Sequence, residues 1–323
     1  MALPMPDFYD TDTVGDLYLE RAALVAEEAA RYQHQHQIPP ATQDTYRIAA
    51  FGIDCQVSFC TPGASLFVPG AVEDMQRALV WLYSNLDKVT DLYFSLDTHS
   101  VFQIFHPAWW IDRQGQHPQP FTTITSDDVR QGIWTPVRHQ QEGLEYCQKL
   151  EASGKYVLTI WPYHVLLGGV GHTLVPAMME ASIFHSLVRQ CQSLFEIKGR
   201  HALTENYSVL SPEVQELGGQ SVGRFNEALF SKLIAYDRVY IFGEAKSHCV
   251  RATLYDIRDR IQTTKPELMD KIWVLQDVMS PVLPPPLEPL PPELDFPRLA
   301  EATMEEMAAA GMHVVSTADP IVL

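Results

Sequence analysis

Short apolar runs alternate with amphipathic helical patterns along most of this chain. Arg47 to Ile53, Asp91 to Leu96, Lys155 to Ile160, Leu194 to Ile197, Val239 to Phe242, Lys271 to Gln276 and His313 to Ser316 read as strands. They are short, rich in β-branched and aromatic residues, and nearly continuous in apolar character, as strands buried on both faces are. Ala71 to Leu86, Val137 to Ala152, Leu174 to Arg189, Gly223 to Ile234 and Leu299 to Ala310 read as helices. Asp16 to Tyr32 adds another, with an apolar stripe at Tyr18, Ala22, Val25, Ala29 and Tyr32. Strands alternating with helices predict an α/β protein with a mostly parallel sheet covered on both faces.

The pattern divides the chain into an N-terminal helical extension over 1–46, a main domain over 47–282, and a proline-rich connector with a last helix and strand over 283–323. Within the main domain, about 100–135 and 166–191 read as inserted loops.

Composition narrows the function classes. A formal net charge of −17 argues against nucleic acid and anionic membrane surfaces as partners. No uncharged apolar run reaches the roughly 18 residues that a spanning helix needs. The first residues have neither the basic region nor the apolar core of a signal peptide. The 5 cysteines form an odd set without a CxxC pair, which suits free thiols in a reducing cytoplasm. The glycines at 168, 169 and 171 do not form a dinucleotide fingerprint, so no nucleotide cofactor is expected.

In parallel sheets, ligands bind beyond the carboxyl ends of the strands. The residues at those ends are Asp54, Asp97 with His99, His164, Lys198 and Cys249. Cys249 falls where the Val239–Phe242 strand hands over to a helix marked by Val250, Leu254 and Ile257. A helix N-terminus favours an anion and lowers a thiol's pKa. Asp54, Lys198 and Cys249 form a candidate nucleophile set, with Asp54 as base and Lys198 as the cation. Asp97, His99 and His164 form a candidate metal set suited to zinc, iron or manganese, with His106 as a further possible ligand. Phe59 and Trp161 flank both sets and suit a flat ring. Each residue alone has a plainer reading: a buried apolar cysteine, a cap carboxylate, a surface lysine, a hydrogen-bonded Asp–His pair, core aromatics. Their coincidence on one sheet edge favours the chemistry.

In these segments the chain resembles the cysteine-hydrolase superfamily of isochorismatase and nicotinamidase, and within it the nicotinamidases. The matching pieces are Ile53-Asp-Cys-Gln-Val-Ser-Phe59, Asp97-Thr-His99 with His106-Pro107, Trp161-Pro-Tyr-His164, Lys198-Gly199 followed by Glu205-Asn-Tyr-Ser208, and Ser247-His-Cys-Val-Arg251. They run in the family's order over about 47–280. The resemblance implies a three-layer αβα sandwich, here around six strands. It implies Asp54, Lys198 and Cys249 as catalytic triad and one divalent metal ion on Asp97, His99 and His164. It also implies Phe59 and Trp161 around the substrate ring, a cis peptide at Glu244–Ala245, and an oxyanion hole from the N–H groups of Ala245 and Cys249. The implied reaction is hydrolysis of nicotinamide or a related small amide through a Cys249 thioester, with ammonia released. The expected partners are a small amide and further copies of the same chain. Alternatives are an amidase for carbamoyl or ureido amides, and a non-catalytic binding or scaffold protein on this fold. The chain departs from the family at Val165, where a cysteine is usual, and in its two inserts.

Overall fold

The computed structural model describes residues 2–283, 288 and 290–323; residues 284–287 and 289 of the proline-rich connector lie outside the described residues. Its centre is a six-stranded parallel sheet. In chain order the strands are β1 (Ile48–Ile53), β2 (Asp91–Asp97), β3 (Leu194–Lys198), β4 (Arg238–Gly243), β5 (Ile272–Leu275) and β6 (His313–Val315). Across the sheet they lie in the order β6-β5-β4-β1-β2-β3, every neighbouring pair parallel. Every β1 residue is buried, as its unbroken apolar run demands.

The larger helices are α1 (Ala22–His36), α2 (Ala71–Ser84), α3 (Gln140–Ser153), α4 (Pro176–Arg189), α5 (Glu227–Ile234), α6 (Arg251–Thr264) and α7 (Phe296–Ala309). The sheet grows from β1 toward β3 on one side and from β4 toward β6 on the other. Right-handed crossovers in opposite directions place α2 on one face and α6 and α7 on the other. The contacts agree: α1, α2 and α4 pack together, and α6 packs on α7. The result is the αβα sandwich, with its strand order reversing between β1 and β4. A crevice opens at such a reversal.

The N-terminal segment is built into the core. Val14, Val25 and Ala29 are buried, and Phe8 and Tyr32 both stack edge-on against Phe184 of α4. The Arg21 guanidinium reaches the nearly inaccessible Glu180 carboxylate of α4 at 2.8 Å. About half of the 166–191 insert is therefore core helix.

The run expected as a strand over Lys155 to Ile160 does not join the central sheet. Only Leu158–Thr159 is extended, paired antiparallel with Thr123–Ile124 of the first insert. The Ile160 N–H goes to the Thr122 carbonyl and the Trp161 N–H to that of Phe105, so the insert takes the hydrogen bonds a sheet neighbour would have used. His164 thus reaches the site from a loop. That loop is tied to the end of β2 by Val165 and Leu167, which bond the His99 backbone.

Candidate active site

Strand register delivers the first contacts. Asp97, the last residue of β2, lies directly opposite Lys198, the last of β3. On the other side Ile53 lies opposite Gly243, placing Asp54 beside the turn that carries Cys249 into α6. A side chain at Gly243 is impossible there: φ is +115° and a Cβ would stand 2.1 Å from the Ile53 carbonyl oxygen. The Glu244–Ala245 bond is cis.

Lys198 occupies the centre. Its Nζ lies 2.9 Å from Asp54 Oδ2, 3.0 Å from Asp97 Oδ1 and 3.6 Å from Cys249 Sγ, and it donates to the Asn206 carbonyl at 2.9 Å. All four side chains are buried. Asp54 holds a left-handed conformation (φ 47°), uncommon outside glycine. Its N–H donates to Ser95 Oγ at 3.0 Å, and the Ser95 hydroxyl donates back to Oδ1.

Burial and charge divide the protons within this group. Burial works against the Lys198 ammonium, but Asp54, Asp97 and Cys249 outweigh it and hold Lys198 charged. Burial also works against the Asp97 carboxylate, and there the neighbouring His99 and Lys198 prevail and keep it ionised. Burial raises Asp54 above the usual carboxylate range, with Lys198 opposing. Cys249 departs from the sequence expectation: burial, aided by Asp54 and Asp97, pushes its thiol well up despite Lys198. The helix end is enclosed, and desolvation outweighs the dipole. A thiol so buried would ionise only with a base beside it, and Asp54, with its raised basicity, shares Lys198 with it.

Asp97, His99 and His164 each offer one ligand atom, all within 4.8 Å of one another. His99 Nδ1 faces the Gly199 carbonyl at 3.1 Å and His164 Nδ1 faces that of Pro162 at 2.7 Å. An imidazole fixed by Nδ1–H to a carbonyl presents Nε2 as a lone pair, which is how metal-binding histidines are commonly oriented. His99 Nε2 lies 2.9 Å from Asp97 Oδ2 without an aligned hydrogen bond, and the buried Nε2 of His106 has no partner. One carboxylate and two such imidazoles fit a divalent ion. The His106 ring stands 5.7 Å from that of His99 and 5.9 Å from that of His164. Gly199 makes this cradle possible: at φ +81°, a Cβ would stand 2.5 Å from Asp97 Oδ1 and 2.9 Å from the His99 ring.

Phe59, Trp161, Ala245 and Cys249 line one cavity together with Asp97 and His164, while Lys198 touches two of these wall residues, Asp97 and Cys249, from behind. Leu66, Glu205, Tyr207, His248 and Val282 complete the wall. Glu205, Tyr207 and His248 stand in the matching segments but carried no expected role, and nothing in sequence marks Val282. Glu205 is fully enclosed 4.0 Å from His99 Nε2, and burial pushes it up to about 8. Trp161 Nε1–H donates to the Tyr207 hydroxyl at 2.9 Å. The free volume is about 30 Å³, room for a water or two. A flat aromatic ring fits only when wall side chains move apart. Two larger clefts of about 460 Å³ each, around Leu17 to Arg21 and Val170 to Met179, share no residue with this site.

This architecture and strand order define the nicotinamidase-like hydrolase fold. Two solved structures that share it are the nicotinamidase/pyrazinamidase of Acinetobacter baumanii and the yeast nicotinamidase Pnc1p. The first superposes with a TM-score of 0.52 at 17% identity, over 85% of this chain and 98% of that one. The second gives 0.53 at 18% identity, over 83% and 99%. Pnc1p has also been solved bound to the inhibitor nicotinaldehyde, with a TM-score of 0.52 to this chain. By sequence, neither a protein-family profile nor a curated protein matches the chain.

Proposed function

We propose that this protein is a metal-containing cysteine amidohydrolase that cleaves nicotinamide, or a related small aromatic amide, to the acid and ammonia. One observation carries the reading. A single buried cation, Lys198, touches the nucleophile Cys249, the base Asp54 and the ligand Asp97. The fold shared with two nicotinamidases supports the substrate class.

Cys249 gives its proton to Asp54 as Sγ bonds to the amide carbon. The carbonyl oxygen, now an oxyanion, accepts from the N–H groups of Ala245 and Cys249. Asp54 passes the proton to the leaving nitrogen, the C–N bond breaks and ammonia departs. Asp54 then takes a proton from water as it attacks the thioester, and returns a proton to sulfur. Lys198 stays charged throughout and steadies whichever of Cys249 and Asp54 is the anion. Phe59 and Trp161 hold the ring. Asp97, His99 and His164 would hold the divalent ion (zinc, iron or manganese), which supplies a Lewis-acid contact for a ring nitrogen or a water.

The test is ammonia release by metal-replete protein from nicotinamide, pyrazinamide and a set of carbamoyl and ureido amides. Turnover of the aromatic amides, reduced at least about 10³-fold in Cys249→Ala, is expected. Turnover confined to the ureido or carbamoyl compounds would remove the substrate assignment and keep the chemistry. Silence on all of them would leave a binding protein.

A further inference from the structure

The loop that carries Cys249 is held from behind by a pair of buried carboxyl groups that the proposed reaction does not use. Asp74 of α2 and Glu244, the last residue before Ala245, are 2% and 0% exposed. Asp74 Oδ1 pairs with Arg77, and its Oδ2 accepts from the Ser280 hydroxyl. Glu244 Oε2 accepts from the Ser280 N–H at 3.2 Å, while its Oε1 is buried with no hydrogen-bond partner among the described residues. Two buried anions held by the same serine repel strongly, and such pairs hold one proton between them. Burial and the Asp74 charge both favour the protonated Glu244. Asp74 already has a cation in Arg77, so the shared proton belongs on Glu244.

The same residues bind the nucleophile turn to the segment after β5. Gly243 N–H donates to the Val278 carbonyl at 3.2 Å, Lys246 N–H to that of Ser280 at 2.8 Å, and Val282 N–H to Ser247 Oγ at 3.0 Å. Ser280 thus touches Asp74, Glu244 and Lys246 at once. The charged or titratable groups facing Glu244 are Asp74 and Arg77 on α2, and Cys55 and Cys60 beyond β1. Lys246, on the same turn, is occupied by Glu301 of α7 at 2.7 Å. None of these supplies a second cation to an ionised Glu244.

We propose that Glu244 is a positioning residue: as a neutral acid it donates to Asp74 and, with Ser280, fixes the turn that aims the Ala245 and Cys249 N–H groups. This rests on the amidohydrolase reading for its catalytic consequence but not for its chemistry. Oxyanion donors act only in the transition state, so a displaced turn lowers kcat and leaves KM nearly unchanged.

Wild type, Glu244→Gln and Glu244→Ala, all metal-replete, are compared on the amide found active. The isosteric neutral amide should keep kcat within about threefold, and alanine should lose at least about tenfold in kcat with KM moved less than about threefold. The infrared spectrum at neutral pH should show a protonated-carboxyl C=O band in wild type that is missing from Glu244→Gln. Glutamine as damaged as alanine, alanine as active as wild type, or no band lost in Glu244→Gln each overturns the proposal. If wild type turns over no amide, the rate of Cys249 alkylation by iodoacetamide replaces kcat. It should change in Glu244→Ala and not in Glu244→Gln, so this reading stands or falls apart from the substrate assignment.

Discussion

At the scale of single residues, this protein places charges and imidazoles where water does not reach, and each has a compensation. Lys198 is acceptable because two carboxylates, a carbonyl and a thiol surround it. His185 of α4 is compensated differently. It stays neutral and faces the Val89 carbonyl through Nε2 at 3.0 Å, and burial lowers it from its ordinary 6.5 to about 4. The folded protein therefore binds fewer protons than the unfolded chain between those values. The stability from keeping His185 neutral is fully present above about pH 6.5 and disappears as pH falls toward 4. That amounts to about 3 kcal/mol over the window. Urea unfolding of wild type and His185→Gln at pH 7 and pH 4.5 checks this. The variant should lose distinctly less stability on acidification, and equal losses in the two proteins would refute the assignment.

At the scale of elements, strands deliver the chemistry and glycines leave room for it. Apolar runs at 47–53, 91–96 and 239–242 were legible because strands buried on both faces have little polar content, and the edge run at 194–197, with Phe195 and Ile197 exposed, was legible from its apolar residues alone. A polar residue ends three of these runs, at Asp54, Asp97 and Lys198, and Gly243 ends the fourth. The 155–160 run has the same composition, yet its partner is the first insert, because local pattern does not encode which backbone supplies the hydrogen bonds. Gly199 illustrates what an element end must provide. Gly199→Ala adds a Cβ 2.5 Å from Asp97 Oδ1 at a backbone angle that disfavours any side chain. We expect bound metal to fall well below one equivalent and activity to drop at least about tenfold, because a displacement of about 1 Å at a site is worth about 10² in rate. Metal analysis by mass spectrometry, with circular dichroism to show the sheet intact, is the check. A fully metallated, active variant would mean that the cradle is more pliant than its packing indicates.

At the scale of the whole molecule, segments far apart in sequence close one small cavity. Val282 comes from beyond β5, and Phe296 of α7 packs edge-on against the His248 ring at 4.6 Å. The N-terminal segment buttresses α4 from outside. Because Asp97, His99 and His164 come from β2, its following turn and the loop after Leu158–Thr159, an ion bound there would tie distant parts of the chain together. Binding to the folded state alone stabilises it by about 4 kcal/mol at a thousandfold excess over Kd. Removing metal with a chelator should thus lower Tm on the order of 10 °C, restored by adding back zinc, iron or manganese. An unchanged Tm together with no bound metal would dismiss the ligand set.

Sequence alone determined the α/β class, the strand ends and the residue types standing at them, because each depends on local apolar pattern and on which polar group interrupts it. The order of the matching segments also named Asp54, Lys198 and Cys249, and Asp97, His99 and His164, before any coordinates. Only the tertiary structure decided that Lys198 touches Asp54, Asp97 and Cys249 and that His99 and His164 gather around Asp97. It also reversed the expected direction for the Cys249 thiol, since desolvation depends on everything that surrounds a group and not on its place in the chain. Glu205, Val282 and the Asp74–Glu244 pair were not legible for that reason: a carboxyl group becomes unusual only when distant segments fold over it and exclude water.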